Sequence, residues 1–129
     1  MDTGRSSVLV VEDDADMREL MGFVVQGLGL VPKLAADVDE ALTVFCDDPK
    51  IGLILLDLGV PGMMCAEEFI DTARRMSPSH RIKFILASGH SNVSSKAEQL
   101  QADGFLFKPF GRSELRNAIL KTLENGPST

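Results

Sequence analysis

Short apolar runs alternate with segments of helical periodicity along almost the whole chain, and this alternation restricts the available folds more than any other feature. Runs rich in Val, Ile, Leu and Phe occupy Val8 to Val11, Leu30 to Ala35, Ile51 to Leu56, Ile82 to Ala87 and Phe105 to Phe107. Each has the length and composition of a strand. Between the first two, Met17, Leu20, Met21, Val24, Val25 and Leu28 recur at helical spacing, so one face of that helix must be buried. Asp37 is placed to cap a second helix carrying Val38, Ala41, Leu42 and Phe45, and Phe69, Ile70 and Ala73 mark a third. In a fourth, over 93–102, only Val93, Ala97 and Leu100 are apolar, which predicts an exposed helix or one that covers a partner surface. Leu115, Ala118, Ile119 and Leu123 form the last, which Gly126-Pro127-Ser128-Thr129 should end.

The repeat length, about 20–30 residues, is that of a βα unit. No break interrupts it, so the expectation is a single domain over 1–129 with an ordered core over 6–125. The fold class expected is α/β, a doubly wound five-stranded parallel sheet with helices on both faces and Ile51 to Leu56 as a central strand. Sheets of this kind hold ligands outside the carboxyl ends of their strands.

Charge and composition narrow the function. Hydrophobic residues make up 44% of the chain and charged residues 25%, too apolar a balance for a disordered protein. A net charge of -6 argues against direct nucleic-acid binding, which needs a basic face. The longest apolar run, Ile51 to Leu58, is too short to span a membrane and contains Asp57. Met1 to Ser7 does not resemble a secretory signal, so a cytoplasmic location is expected. Cys46, Cys65, His80 and His90 lack zinc-ligand spacing, and both cysteines read as structural.

The chemistry gathers at the predicted strand ends. Glu12 and Asp13 follow the first strand, Asp57 the third, Ser88 the fourth and Lys108 the fifth. Converging carboxylates repel one another unless a cation joins them. Mg²⁺ fits best, because it takes oxygen ligands, needs only one or two carboxylates, and keeps positions for water and phosphate. A carboxylate can attack phosphorus to form an acyl phosphate, a reaction that depends on positioning and charge neutralisation. Asp57 is then the nucleophile. Mg²⁺ and Lys108 would neutralise the phosphoryl oxygens, and the Ser88 hydroxyl would donate to them.

Four stretches, in this order and spacing, resemble response-regulator receiver domains over nearly the whole chain. They are Val8-Leu9-Val10-Val11-Glu12-Asp13-Asp14, Leu53-Ile54-Leu55-Leu56-Asp57-Leu58-Gly59-Val60-Pro61-Gly62, Ala87-Ser88-Gly89 and Phe107-Lys108-Pro109-Phe110. The resemblance implies a flavodoxin-like strand order 2-1-3-4-5. It implies that Asp57 is phosphorylated and that Asp13, Asp57 and the Gly59 carbonyl ligate Mg²⁺, with Glu12 acting through water. Ser88 would follow the bound phosphoryl group, Phe105 would be the aromatic switch residue, and the Lys108-Pro109 bond would be cis.

Three positions depart from the pattern. Met64-Cys65 replaces the usual Asp-Gly, so the loop after Asp57 is expected to take a different path. Gly59 and His90 occupy the two positions that influence phosphoryl lifetime in the family. Phe105 lacks the hydroxyl of the commoner Tyr.

Plainer readings compete at several positions. Asp14 and Asp16 read as helix-capping or dipole partners. His90 reads as an exposed loop residue, Met63 and Met64 as packing or loop cover, and Phe105 could simply be core. The function implied is a switch in a two-component phosphorelay. A sensor histidine kinase or a histidine phosphotransfer protein would donate to Asp57, and the surface of the fourth helix, fifth strand and fifth helix would respond. The output is a downstream protein partner or output domain, with a phosphorylation-dependent dimer as one form. Such a chain catalyses only its own phosphorylation and dephosphorylation, and is either a stand-alone regulator or part of a larger kinase or regulator. A Mg²⁺-dependent phosphohydrolase should carry a second acid where Gly59 stands. A flavin binder should have a Ser, Thr and Gly loop in place of Glu12-Asp13-Asp14. A receiver-like interaction domain that is never phosphorylated would follow if the Met64-Cys65 loop misplaced the site.

Overall fold

The computed structural model describes residues 7–76 and 82–124. The expectations for His80, for the amino-terminal segment before Ser7 and for the Gly126 to Thr129 tail lie outside these residues. Strands β1 (Ser7–Val11), β2 (Val31–Ala35), β3 (Ile51–Asp57), β4 (Lys83–Ser88) and β5 (Gly104–Phe107) alternate with helices α1 (Ala15–Gly27), α2 (Val38–Asp47), α3 (Ala66–Met76), α4 (Val93–Gln99) and α5 (Arg112–Glu124). All four strand pairings are parallel, and the order is β2-β1-β3-β4-β5, as the resemblance implied.

Because side chains alternate across a strand, the three central strands feed two separate cores. Leu9, Val11, Ile54, Leu56, Phe84 and Leu86 face α2, α3 and α4, where Phe45, Phe69 and Ala73 meet them. Val8, Val10, Leu53, Leu55, Ile85 and Ala87 face α1 and α5, against Met21, Val25, Leu115 and Ile119. A strand buried on both sides must be apolar throughout, which explains the unbroken run from Leu53 to Leu56. Asp14 and Asp37 cap α1 and α2 as predicted: Asp14 accepts from the Asp16 and Met17 N–H groups, and Asp37 from Glu40. Among the described residues, no helix is long and apolar enough to cross a membrane.

Helix α4 ends three residues earlier than its apolar pattern suggested. Gln101 takes a left-handed conformation (φ 57°). Its N–H donates to the Glu98 carbonyl (3.2 Å) while that of Ala102 donates to Ala97 (2.8 Å). This is a Schellman closure formed without the glycine that would have announced it. The exposed carbonyls at this end meet a cation from another helix. Arg74 of α3 donates to Leu100 O (2.9 Å) and Gln101 O (2.8 Å), and its guanidinium lies 5.0 Å from the centre of the Phe84 ring. A positive charge at a helix carboxyl end is favourable, and the planar fork reaches two carbonyls together. Lys96 adds a second link between these helices through Glu67 (3.0 Å), exposed and therefore weak. Arg74→Ala is expected to lower stability by about 1–2 kcal/mol, and Arg74→Lys should restore less than half of that. Urea unfolding followed by far-UV circular dichroism would measure it, since the chain has no Trp or Tyr to report by fluorescence. Equal stability of the three proteins would remove Arg74 from this account.

Candidate functional site

Strand register brings the chemistry together. Val11 pairs with Leu56, so Glu12, one residue past β1, comes beside Asp57 at the end of β3, at the point where β1 and β3 feed helices on opposite faces. Asp57 pairs with Ala87, which sets Ser88 one step beyond it, and Ser88 pairs with Phe107, so Lys108 emerges next. The Lys108 N–H donates to the Ser88 carbonyl (2.8 Å), and the Lys108-Pro109 peptide is cis.

The Lys108 ammonium reaches across this edge. It donates to Asp57 Oδ2 (2.8 Å) and to Glu12 Oε1 (3.0 Å). The side chains of Glu12 and Asp57 are 1% and 8% exposed and that of Lys108 25%, so most of the charge compensation occurs out of bulk water. The remaining acceptors meet backbone donors: Asp14 N–H donates to Glu12 Oε2 (3.1 Å) and Gly59 N–H to Asp57 Oδ1 (3.0 Å). Burial raises the proton affinity of Glu12 above its ordinary value, aided by the nearby Asp57 charge and only partly offset by Lys108 and the Asp14 N–H. Burial works against the Lys108 ammonium too, yet its bonds to Asp57 and Glu12 outweigh that, and its pKa is raised.

One ligand atom from each of Glu12, Asp13 and Asp57 lies within 4.8 Å of the others, with Asp13 exposed. Three carboxylates against one ammonium leave the cluster negative. The donor set is oxygen throughout, as a hard divalent cation requires, and Mg²⁺ fits it. Ser88 is buried and its Oγ accepts from the His90 N–H (3.1 Å). A cleft of about 670 Å³, lined by residues including Ser7, Lys33, Asp48 and Lys50, is at the amino-terminal end of the strands, away from these carboxylates.

The loop after Asp57 is held despite the Met64-Cys65 substitution. The Val38 N–H donates to the Pro61 carbonyl (3.0 Å), and the Met63 N–H to Asp39 Oδ2 (3.3 Å). Gly62 has φ 149°, and a Cβ there would lie 2.8 Å from Val38 Cβ, so the loop passes too close to α2 for a side chain. Glu68 turns back to accept from the Cys65 N–H (3.2 Å), one half of a capping box that starts α3. Met64 packs against the core, whereas Met63 is 92% exposed, so only one of the pair is a packing residue. His90 is exposed, as expected of a loop residue. Phe105 is 46% exposed, so the alternative that it is core does not hold; its neighbour Phe107 is exposed as well.

Arg18 was not among the residues the sequence singled out. Its Nη1 donates to the Glu12 carbonyl (2.8 Å) and more loosely to that of Asp13 (3.4 Å). The available signal was its charge: an arginine near the positive end of a helix opposes the dipole and calls for another explanation.

The family model for the response regulator receiver domain matches residues 8–120. DNA-binding response regulator MtrA of Mycobacterium tuberculosis is 32% identical over 117 residues, covering 89% of this chain and 49% of MtrA. The phosphate regulon transcriptional regulatory protein PhoB of Escherichia coli K12 is 34% identical over 110 residues, covering 84% of this chain and 47% of PhoB. The chain thus spans about half the length of the curated relatives it matches. Among solved structures, NtrX of Brucella abortus superposes with a TM-score of 0.82 at 26% identity, over 95% of this chain and 28% of that one. The chemotaxis response regulator CheY4 of Vibrio cholerae gives 0.80 at 24% identity, over 92% and 99%, a likeness of fold. By the family model that matches nearly its whole length, the chain belongs to the response regulator receiver domain family.

Proposed function

We propose that Asp57 is the phosphoacceptor of a two-component phosphorelay, and that a sensor histidine kinase or a histidine phosphotransfer protein is the donor. The observation that carries this reading is the meeting of Glu12, Asp13 and Asp57 within 4.8 Å with the Lys108 ammonium 2.8 Å from Asp57. In the reaction an Asp57 carboxylate oxygen forms a bond to phosphorus, the P–N bond to the donor imidazole breaks, and the imidazole leaves with a proton. The carboxylates of Asp13 and Asp57, the Gly59 carbonyl and, through water, Glu12 would hold Mg²⁺. When bound, it supplies positive charge against the phosphoryl oxygens. Lys108 already directs its ammonium at Asp57 and is placed to hydrogen-bond an oxygen of the group attached there. The Ser88 hydroxyl turns to donate to another.

Movement of Ser88 and its loop draws Phe105 inward from its half-exposed position and alters the surface of α4, β5 and α5. A downstream protein, an output domain or a second copy of the chain would read that change. The chain turns over no outside substrate beyond the phosphodonor itself.

Incubation with phosphoramidate in Mg²⁺ or in EDTA, followed by intact mass measurement, tests the proposal. Wild type should gain one phosphoryl group in Mg²⁺ alone. Borohydride reduction, which converts an aspartyl phosphate to homoserine, should locate it at residue 57. An unmodified mass in Mg²⁺ would overturn the reading, and steady phosphate release from unrelated monoesters would favour a hydrolase.

A further inference from the structure

We propose that Arg18 is a positioning residue for the cation site, acting on the backbone that presents Glu12 and Asp13. This rests on the reading of the acidic cluster given above. The last sheet contact of this segment is the Glu12 N–H donating to Ala35 O (3.0 Å); beyond it, the chain must turn into α1 while carrying adjacent acids. Both belong to a cluster of three carboxylates within 4.8 Å, so repulsion favours any movement that swings the turn away from Asp57.

Several contacts oppose that movement. Asp14 caps α1, and its own N–H holds Glu12 Oε2. Among the described residues, Arg18 is the side chain that grips the turn by its carbonyls, bonding that of Glu12 at 2.8 Å and reaching that of Asp13 at 3.4 Å. Its anchor is firm: α1 is fixed in the core by Met21, Gly22, Val24 and Val25. Both contacts are made by one nitrogen, Nη1, which the rigid, weakly hydrated guanidinium plane holds between the two carbonyls; a lysine would bring a strongly hydrated ammonium on a flexible stem. Among the described residues Arg18 pairs with no carboxylate, and its hydrogen bonds are to the backbone.

Its charge and its geometry predict opposite results, which makes the inference testable. As a charge alone, Arg18 would repel Mg²⁺, and its removal would tighten binding by about twofold at physiological salt. As a positioning group, its removal should weaken binding about tenfold, the usual scale for groups that orient metal ligands. Isothermal titration of wild type, Arg18→Ala and Arg18→Lys with MgCl₂, without phosphodonor, should therefore rank affinity as wild type above Lys above Ala. Half-saturation of phosphoramidate labelling by Mg²⁺ should follow the same order.

Far-UV circular dichroism in EDTA shows whether each variant is folded. If Arg18→Ala is not, Arg18→Lys carries the test, because it retains the charge and loses the fixed guanidinium geometry that places Nη1. Wild-type affinity in Arg18→Lys, or affinity in Arg18→Ala equal to or above wild type, would overturn the inference while leaving the functional reading intact. Failure of wild type to bind Mg²⁺ would overturn both.

Discussion

Asp57→Asn should take up no phosphoryl group under conditions in which wild type is labelled to completion, while Asp13→Asn should still be labelled, but only at much higher Mg²⁺. The two changes separate the nucleophile role proposed for Asp57 from the ligand role proposed for Asp13. An amide nitrogen gives its lone pair to the carbonyl and cannot attack phosphorus, so Asp57→Asn loses the reaction even though its Oδ1 can still accept from the Gly59 N–H. Asp13→Asn keeps the nucleophile and the Lys108 contact, and removes one of three carboxylates from the cluster. Half-saturation by Mg²⁺ should rise roughly tenfold or more, because the ion loses a charged oxygen ligand. In EDTA the same variant should be more stable than wild type by up to about 1 kcal/mol, since an exposed charge is removed from beside two others at near-aqueous dielectric. Mg²⁺ at a hundred times its dissociation constant should stabilise wild type by about 2.7 kcal/mol and Asp13→Asn by much less. Intact mass and urea unfolding measure the two halves. A phosphorylated Asp57→Asn, or an Asp13→Asn with wild-type Mg²⁺ dependence, would mean that the roles are wrongly assigned.

The existence of the elements was legible because a strand buried on both faces has no alternative to an apolar run, and every strand start and end lies within one residue of such a run. The small differences have a cause. Asp57 and Ser88 belong to β3 and β4 because the hydrogen-bonded ladder extends past the apolar residues, and hydrophobicity does not register a ladder. The strand order did not come from periodicity; the family resemblance supplied it. Helix α4 was overextended because Leu100 and Ala102 continue the apolar pattern while the backbone at Gln101 turns left-handed, a conformation that favours glycine and that nothing in the side-chain sequence signalled.

In the site, Glu12, Asp13, Asp57, Ser88 and Lys108 could be named together because each closes or follows an apolar strand, where a polar residue needs a reason. Arg18 and Arg74 could not. Both act on backbone carbonyls, and a carbonyl is present at every position, so no spacing between residue types marks the contact. The path of the loop after Asp57 was hidden for a similar reason. Pro61, Gly62 and Met63 are held by backbone groups and a helix-start carboxylate of α2, an element more than twenty residues away in the chain.

Lys108→Met tests the compensation at the centre of the site, and its effect should depend on pH in both directions. Removing the ammonium leaves Glu12 and Asp57 nearly buried without their cation, and breaking a buried pair costs about 3–5 kcal/mol. Lys108 is a quarter exposed, so solvent screens part of this, and about 2–3 kcal/mol is expected at pH 7 without metal. Glu12, already raised by burial, loses the hydrogen bond that lowers it and rises further in the folded variant. A raised folded pKa gives stability that is present below the unfolded value, 4.5, and is lost as pH climbs through the folded one. The variant's deficit should therefore shrink as pH falls from 7 toward 4.5. At the alkaline end the wild type changes instead. Its raised Lys108 contributes stability below the unfolded value, 10.5, and loses it as pH passes the folded pKa, beyond which both proteins hold the same uncompensated carboxylates. The difference in stability between them, measured by urea unfolding in EDTA, should be greatest near neutrality and narrow on both sides. A difference that stayed constant across this range would attribute the loss to packing of the lysine stem and remove the ion pairs from the account.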